Sequence, residues 1–214
     1  MLQLTRATVS GLSQNGATDP IAFYKKPLVG WIFRERINMG LRLLDAPKYA
    51  RVLEVGYGAG AVLLTLAPLV DELHGLDLDA APAPVEAMLR VRGVSAKLVQ
   101  GSVYELPYGD GSFDLTVCFS VFEHLHEFER GLREVARVLR PGGQFLLGMP
   151  AVNRMMEAGF RVIGFKEIND HHVTTPKSVS DRFSAVDFRI KAERTLAVPV
   201  TGLNLYYTWL LEKP

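Results

Sequence analysis

Val52-Leu53-Glu54-Val55-Gly56-Tyr57-Gly58-Ala59-Gly60 is the stretch on which the reading of this chain turns. The apolar run from Arg51 to Val55 reads as a short buried strand, and the alternating glycines after it stop that strand at once. Ala61 to Leu69 then has the composition of a helix. A strand, a glycine-rich turn and a helix in that order make a cradle. Glycine lets the backbone turn tightly and lets a ligand approach without a Cβ in the way, while the start of the helix offers unpaired N–H groups. A second strand, 72–76, ends at Asp77, about twenty residues beyond the loop, where a carboxylate can accept both ribose hydroxyls of an adenosine-containing cofactor.

Downstream the same alternation continues. A helix over 85–92 is stopped by Gly93, and a third strand covers 96–100. Leu106-Pro107-Tyr108-Gly109-Asp110-Gly111 is turn chemistry leading into a fourth strand, Phe113 to Phe119. A helix from Glu127 to Leu139 is ended by Pro141-Gly142-Gly143, and a fifth strand covers 144–149. A short helical stretch over 153–158, a helix over 176–186 and two β-like runs, 189–198 and 203–211, complete the chain. Pro199-Val200-Thr201-Gly202 joins the last two as a hairpin. Strands alternating with helices predict an α/β fold: a doubly wound, mostly parallel, seven-stranded Rossmann-like sheet with an antiparallel C-terminal strand.

Upstream, Val29, Phe33, Ile37, Leu41 and Leu44 recur at helical spacing behind Pro27, with Arg34, Arg36 and Arg42 on the other face. Residues 1–20 have no sustained periodicity and read as a flexible arm. The rest, 21–214, reads as one domain with an N-terminal helical lid at about 27–45 and a substrate flap at about 151–176.

The 214 residues suffice for one large core, and a formal charge of +1 gives no global basic field for nucleic acid. The single cysteine, Cys118, excludes an intramolecular disulfide and a multi-cysteine zinc site, and its apolar neighbours make it a core residue. No apolar run is long enough for a signal peptide or a membrane span, so a cytoplasmic enzyme with a small-molecule acceptor is expected; oligomeric state is not read here. On glycines alone two cofactors stay open, because Gly56, Gly58 and Ala61 also satisfy the dinucleotide pattern of NAD enzymes. Glu54 argues the other way: a carboxylate there suits a cationic amino acid moiety and is unfavourable beside a pyrophosphate.

Five ordered stretches then resemble the motifs of the class I S-adenosylmethionine-dependent methyltransferases, nearest to the small-molecule, quinone-biosynthesis type. They are the glycine stretch itself, Gly75-Leu76-Asp77-Leu78-Asp79, Leu106-Pro107 through Ser112-Phe113-Asp114, Ser120-Val121-Phe122-Glu123-His124, and Leu139-Arg140-Pro141-Gly142-Gly143. The resemblance covers roughly 48–150 and implies S-adenosyl-L-methionine as cofactor. It implies that Glu54 and the loop Gly56, Tyr57, Gly58 and Gly60 hold the methionine portion, and that Asp77, with Leu78 beside it, binds the ribose. It further implies that Ser102 and Val103 flank the adenine, and that Phe119 and Ser120 line the methionine pocket. Many relatives carry Asp where Ser102 stands.

Methyl transfer is an in-line displacement at an activated carbon, so positioning carries much of it and a base is needed only where the nucleophile loses a proton. His124, just past the fourth strand, is the candidate base, with Glu123 either orienting it or capping the next helix. His126 reads as a loop residue, His74 as a packed or surface histidine, and Asp79 as a solvated loop carboxylate. His171 and His172 sit in Asn169-Asp170-His171-His172-Val173, which resembles the polar entry to a substrate flap; no third ligand has metal spacing, so no metal is expected. Tyr24, Trp31 and Arg34 belong to a segment that in relatives closes over the cofactor; Glu35 favours a lid over a membrane anchor built on Trp31-Ile32-Phe33. Phe122, Met149, Met155, Met156 and Phe160 suggest an apolar acceptor pocket. Two alternatives remain: an NAD-dependent oxidoreductase, for which no Tyr-x-x-x-Lys pair is found, and a cofactor-binding protein without turnover.

Overall fold

The computed structural model describes residues 2–16, 19–151, 173–197 and 203–214. In chain order the strands are β1 (Tyr49–Val55), β2 (Val70–Asp77), β3 (Lys97–Gln100), β4 (Phe113–Phe119), β5 (Leu139–Pro150), β6 (Arg189–Ala197) and β7 (Asn204–Glu212). The helices are α1 (Arg6–Val9), α2 (Ile21–Tyr24), α3 (Pro27–Leu41), α4 (Ala61–Leu66), α5 (Pro82–Val91), α6 (Phe128–Val138) and α7 (Pro176–Ser180).

β1 occupies the middle of the sheet because its last four residues are buried on both faces, which suits a strand with parallel neighbours on each side. It pairs parallel with β2 and with β4. The full order is β3-β2-β1-β4-β5-β7-β6, and β7 runs antiparallel to both β5 and β6. This is the doubly wound, mostly parallel seven-stranded sheet expected, with its antiparallel C-terminal strand. Strand order reverses between β1 and β4, so a crevice opens at the carboxyl ends of those two strands. One core cluster gathers α1 to α5 on one face, including Phe33, Ile37, Leu63 and Leu89. The other gathers α6 and the C-terminal elements, including Leu132, Val135, Phe145 and Trp209.

Three boundaries differ from expectation. α4 stops at Leu66 and continues as a 3-10 turn, Ala67–Leu69, because Pro68 has no N–H for an α-helical bond. The helix expected over 176–186 is two pieces, α7 and a 3-10 turn Phe183–Val186. β5 begins at Leu139 and absorbs Pro141-Gly142-Gly143: Leu139 pairs with Phe113, Gln144 with Leu115, and the extra residues form an irregularity within the strand. The short helix expected at 153–158, most of the flap, His171, His172 and the hairpin connection at 199–202 lie outside the described residues.

The N-terminal arm is a larger correction. Leu4, Val9 and Leu12 are buried in the same core cluster as α3 and α4. Thr5 and Thr8 form a reciprocal capping box on α1, and Arg92 donates to the carbonyls of Thr8 and Ser10. Within α3, Asn38 closes the arrangement: its Oδ1 accepts from Leu4 N at 2.6 Å and its Nδ2 donates to Leu4 O at 3.1 Å. The segment that reads as a flexible arm for want of sustained periodicity carries three widely spaced apolar anchors. Among the described residues no helix is long and apolar enough to cross a membrane.

Asn38→Leu removes both bonds and leaves a buried N–H and C=O of Leu4 without partners. The expected loss of stability is about 1–3 kcal/mol in urea unfolding. An unchanged midpoint would contradict the packed N-terminus.

Candidate functional site

β1 delivers the chain into a loop in which Gly56 (φ +83), Gly58 (φ +47) and Gly60 (φ +78) all take left-handed backbone conformations. Gly56 N donates to Leu76 O at 2.7 Å, and Gly60 N donates to Tyr57 O at 2.7 Å. A Cβ on Gly56 would lie 2.4 Å from Val121 Cγ2, so the loop and the turn after β4 touch where only glycine fits. Asp77, at the end of β2, ties the neighbourhood together. Its Oδ2 accepts from Gly58 N at 2.9 Å, and its Oδ1 accepts from Asp79 N at 2.9 Å and Ala80 N at 2.8 Å.

Glu54 lies on β1 beneath this loop and is only 4% exposed, with Oε2 buried and without a hydrogen-bond partner among the described residues. Burial, and next to it the charge of Asp77, hold its carboxyl well above the usual range; a backbone N–H of Leu63 works in the opposite direction.

Tyr57 turns its side chain behind the loop. Its ring is buried against Gly75 and its hydroxyl donates to Ala80 O at 2.8 Å, so it braces the loop against β2 and offers a ligand only its backbone. Val103, expected beside the adenine, is likewise buried in the core cluster under α6. Ser102 is half-buried, and its Oγ accepts from Tyr104 N at 3.2 Å. Leu78 is 65% exposed next to Asp77, an apolar surface at the rim of the crevice. Asp79 is exposed, and His74 packs edge-on against Tyr108 and Phe113. Cys118 is fully buried.

At the end of β4, Phe119 fills the space above Gly40 of α3 and Gly148 of β5; a Cβ on either glycine would come within 3 Å of its ring. Ser120 has φ +59, unusual for a residue with a side chain. Its N donates to Gly148 O at 2.9 Å, and its Oγ pairs with Tyr206 Oη at 3.0 Å. His124 lies on the 3-10 turn Phe122–His124 with a side chain 41% exposed. Its Nε2 is 3.9 Å from Glu123 Oε1, too far for Glu123 to orient the ring by a hydrogen bond. Nor does Glu123 cap the next helix: it is 1% exposed, its carboxyl turns inward to Ser120, and Oε2 has no partner. Burial pushes that carboxyl up to about 8, against the lowering influence of its own backbone N–H, of Arg36 and of Ser120. Its carbonyl accepts from Val173 N and Thr174 N, which anchors the chain returning from the flap region.

Tyr24 is buried, with its Oη accepting from Arg36 Nη2 at 2.9 Å, while Trp31 is 55% exposed. Three neighbours of the site were not anticipated. Asn15 donates from Nδ2 to Gly58 O and Ala81 O, and Asp19 lies against Gly58. Burial raises the Asp19 carboxyl, the N–H groups of Asn15 and Ile21 oppose that, and Asp77 adds to it. Arg36, assigned to the outer face of its helix, instead turns inward toward Tyr24 and Tyr206. A separate groove of about 1170 Å³, lined by Leu2, Met39, Leu64, Leu69 and Leu196 among others, contains none of these residues.

A family model described as a methyltransferase domain matches residues 53–147. The chain is 39% identical over 99 residues to a probable S-adenosylmethionine-dependent methyltransferase of Mycolicibacterium smegmatis, covering 46% of this chain and 37% of that one. Over this stretch the chain is similar to S-adenosylmethionine-dependent methyltransferases. A demethylmenaquinone methyltransferase of Thermus thermophilus is 33% identical over 117 residues, 52% of this chain and 51% of its own. The chain therefore spans about half or less of the length of these curated relatives. The chain also superposes on a solved [4+2]-cyclase, SpnF, with a TM-score of 0.69 at 18% identity, covering 99% of this chain and 91% of that one. That likeness establishes the architecture and leaves the reaction to the site.

In the folded chain Glu123 keeps a proton that an unfolded chain, with its carboxyl near 4.5, has already lost. The folded state binds more protons between those values, so this group makes stability fall as pH rises from about 4.5 to about 8. Glu123→Gln should show a shallower decline of Tm between pH 5 and pH 8 than the parent. Parallel curves would contradict the buried neutral carboxyl.

Proposed function

We propose that this chain moves the methyl group of S-adenosylmethionine to a small-molecule acceptor. The observation that carries this reading is Glu54: a buried carboxyl with an unpartnered oxygen, directly beneath a loop of three left-handed glycines. An ammonium group would satisfy that oxygen and favour its ionised form, whereas a pyrophosphate would only push the carboxyl further toward the neutral acid, which disfavours the NAD reading. In this proposal Glu54 and the N–H groups of the loop hold the amino acid end of the cofactor, Asp77 takes the ribose, and Leu78 and Ser102 border the adenine. Because Gly58 N, Asp79 N and Ala80 N already donate to Asp77, its carboxylate is held in place before a ligand arrives. Bound there, the cofactor supplies a methyl group made electrophilic by an adjacent sulfonium charge.

The chain's own contribution is to position and to exclude water. Phe119, wedged over Gly40 and Gly148, gives the methionine end a rigid apolar wall. Ser120, held by Gly148 and Tyr206, fixes the direction of the turn that follows. His124, exposed on that turn, is proposed to accept the acceptor's proton where one is lost. His171 and His172 are proposed to enter from the flap. A small molecule suits the balanced charge of +1, and a cytoplasmic setting accords with it.

The test is transfer of labelled methyl from S-adenosylmethionine to a broad panel of small acceptors. Glu54→Gln and Asp77→Asn should each lower transfer by more than about tenfold, the loss of one charged hydrogen-bonding group. His124→Ala should lower turnover while S-adenosylhomocysteine affinity stays level. Unchanged transfer in both carboxylate variants would overturn the assignment.

A further inference from the structure

Beside the crevice, on the acceptor side, lies a cluster of polar groups that no part of the cofactor reading uses. Helix α3 crosses the carboxyl end of β4 and the middle of β7 so closely that a Cβ on Gly40 would lie within 3 Å of Phe119 and of Thr208. Arg36 is one turn earlier on the same face of that helix, which carries its guanidinium to the rim beyond Phe119. There it sits among three aromatic rings, with its Cζ 4.5 Å from the centre of Phe33, 5.2 Å from Tyr206 and 5.6 Å from Tyr24.

The cation is short of an anion. Among the described residues Arg36 forms no ion pair with any Asp or Glu, and its Nε is buried without a hydrogen-bond partner. Its Nη2 donates to Tyr24 Oη at 2.9 Å. The nearest carboxyl whose charge it senses is Glu123, itself 1% exposed, with an unpartnered Oε2. Burial keeps that carboxyl protonated to about pH 8, so it neither neutralises Arg36 nor repels an incoming anion. Tyr206 joins the two halves: its ring faces Arg36, and its hydroxyl pairs with Ser120, which in turn bonds Glu123. Tyr24, Tyr206, Arg36 and Glu123 are thus the titratable groups that face one another here, and at neutral pH their sum is one positive charge. Buried charges in proteins are paired, and a cluster of a guanidinium, hydroxyls and a neutral carboxyl is rich in donors.

We propose that the acceptor carries an anionic oxygen, a carboxylate or an ionised phenol, and that this oxygen docks on Arg36 between Tyr24, Tyr206 and Glu123. This rests on the methyltransferase reading for the word acceptor, but the anion site stands on its own geometry. A planar aromatic acid fits best, since the rings that surround the guanidinium would also flank a flat ligand. Placement beside Ser120 and Val121, which touches Gly56 of the cofactor loop, sets such a ligand next to the cradle. Arg36 is in this account a substrate-positioning residue and Glu123 the neutral neighbour that tolerates the anion.

Calorimetric titration of the full chain tests it, with benzoate against benzamide and para-nitrophenolate against para-nitroanisole at pH 7.5. Each probe is titrated with and without saturating S-adenosylhomocysteine. At least one anion should bind about tenfold or more tightly than its neutral counterpart, and which one does so tells a carboxylate from a phenolate. Arg36→Met should abolish the preference, while Glu123→Gln, which keeps a neutral hydrogen-bonding group, should retain it. Tyr24→Phe, which removes only a hydroxyl, should weaken it and serves if Arg36→Met does not fold. Absence of saturable anion binding at millimolar concentration, equal binding of anion and neutral partner, or a preference that survives Arg36→Met would each overturn the proposal. Anion binding without S-adenosylhomocysteine binding would instead sink the cofactor reading and leave this site standing.

Discussion

Three alternate glycines held at positive φ between the central strand and α4 are the constraint on which the site depends. A side chain at any of them would cost about 1–2 kcal/mol from backbone conformation alone. At Gly56 it would also drive into Val121, and at Gly60 into Val85. The surrounding structure is arranged to hold that shape. β1 is buried between β2 and β4, Asp77 accepts from inside the loop and from the turn beyond β2, and Asn15 binds Gly58 from the N-terminal side. The cradle is therefore rigid before any ligand reaches it, and binding there spends little on ordering the backbone.

Charge is sorted across the crevice. The side under the glycine loop is acidic: Glu54 and Asp19 are raised chiefly by burial and further by the charge of Asp77. A cationic ligand would favour the ionised form of both carboxyls, offsetting the burial and the Asp77 charge that raise them. The other side carries Arg36 in an aromatic cage, with no carboxylate paired to it among the described residues. Under the proposed function that sorting would set a cationic cofactor and an anionic acceptor on facing walls, where positioning favours the displacement.

Much of this was legible in the sequence for identifiable reasons. The strand–glycine–helix unit and the acidic residue after β2 are local patterns with a short reach, and β4 was read to the residue because turn chemistry and Pro-Gly-Gly fence its neighbours. What escaped depended on tertiary placement. Leu4, Val9 and Leu12 are too sparsely spaced to show a helical stripe, yet each finds the core. Tyr57 sits inside the ligand loop in sequence but outside it in space, since its ring packs behind the loop on Gly75. Arg36 looked like solvated charge because helical periodicity cannot tell an exposed face from one that abuts a second apolar wall. Glu123 was read through its neighbour His124, whereas its carboxyl turns the other way, into the protein.

The central claim is that the loop between β1 and α4 binds an adenosyl amino acid and no dinucleotide. Calorimetric titration of the purified chain with S-adenosylhomocysteine, with NAD run in parallel, tests that most directly. The account predicts micromolar binding of the first and none of the second. Binding of NAD, or of neither ligand, would contradict it.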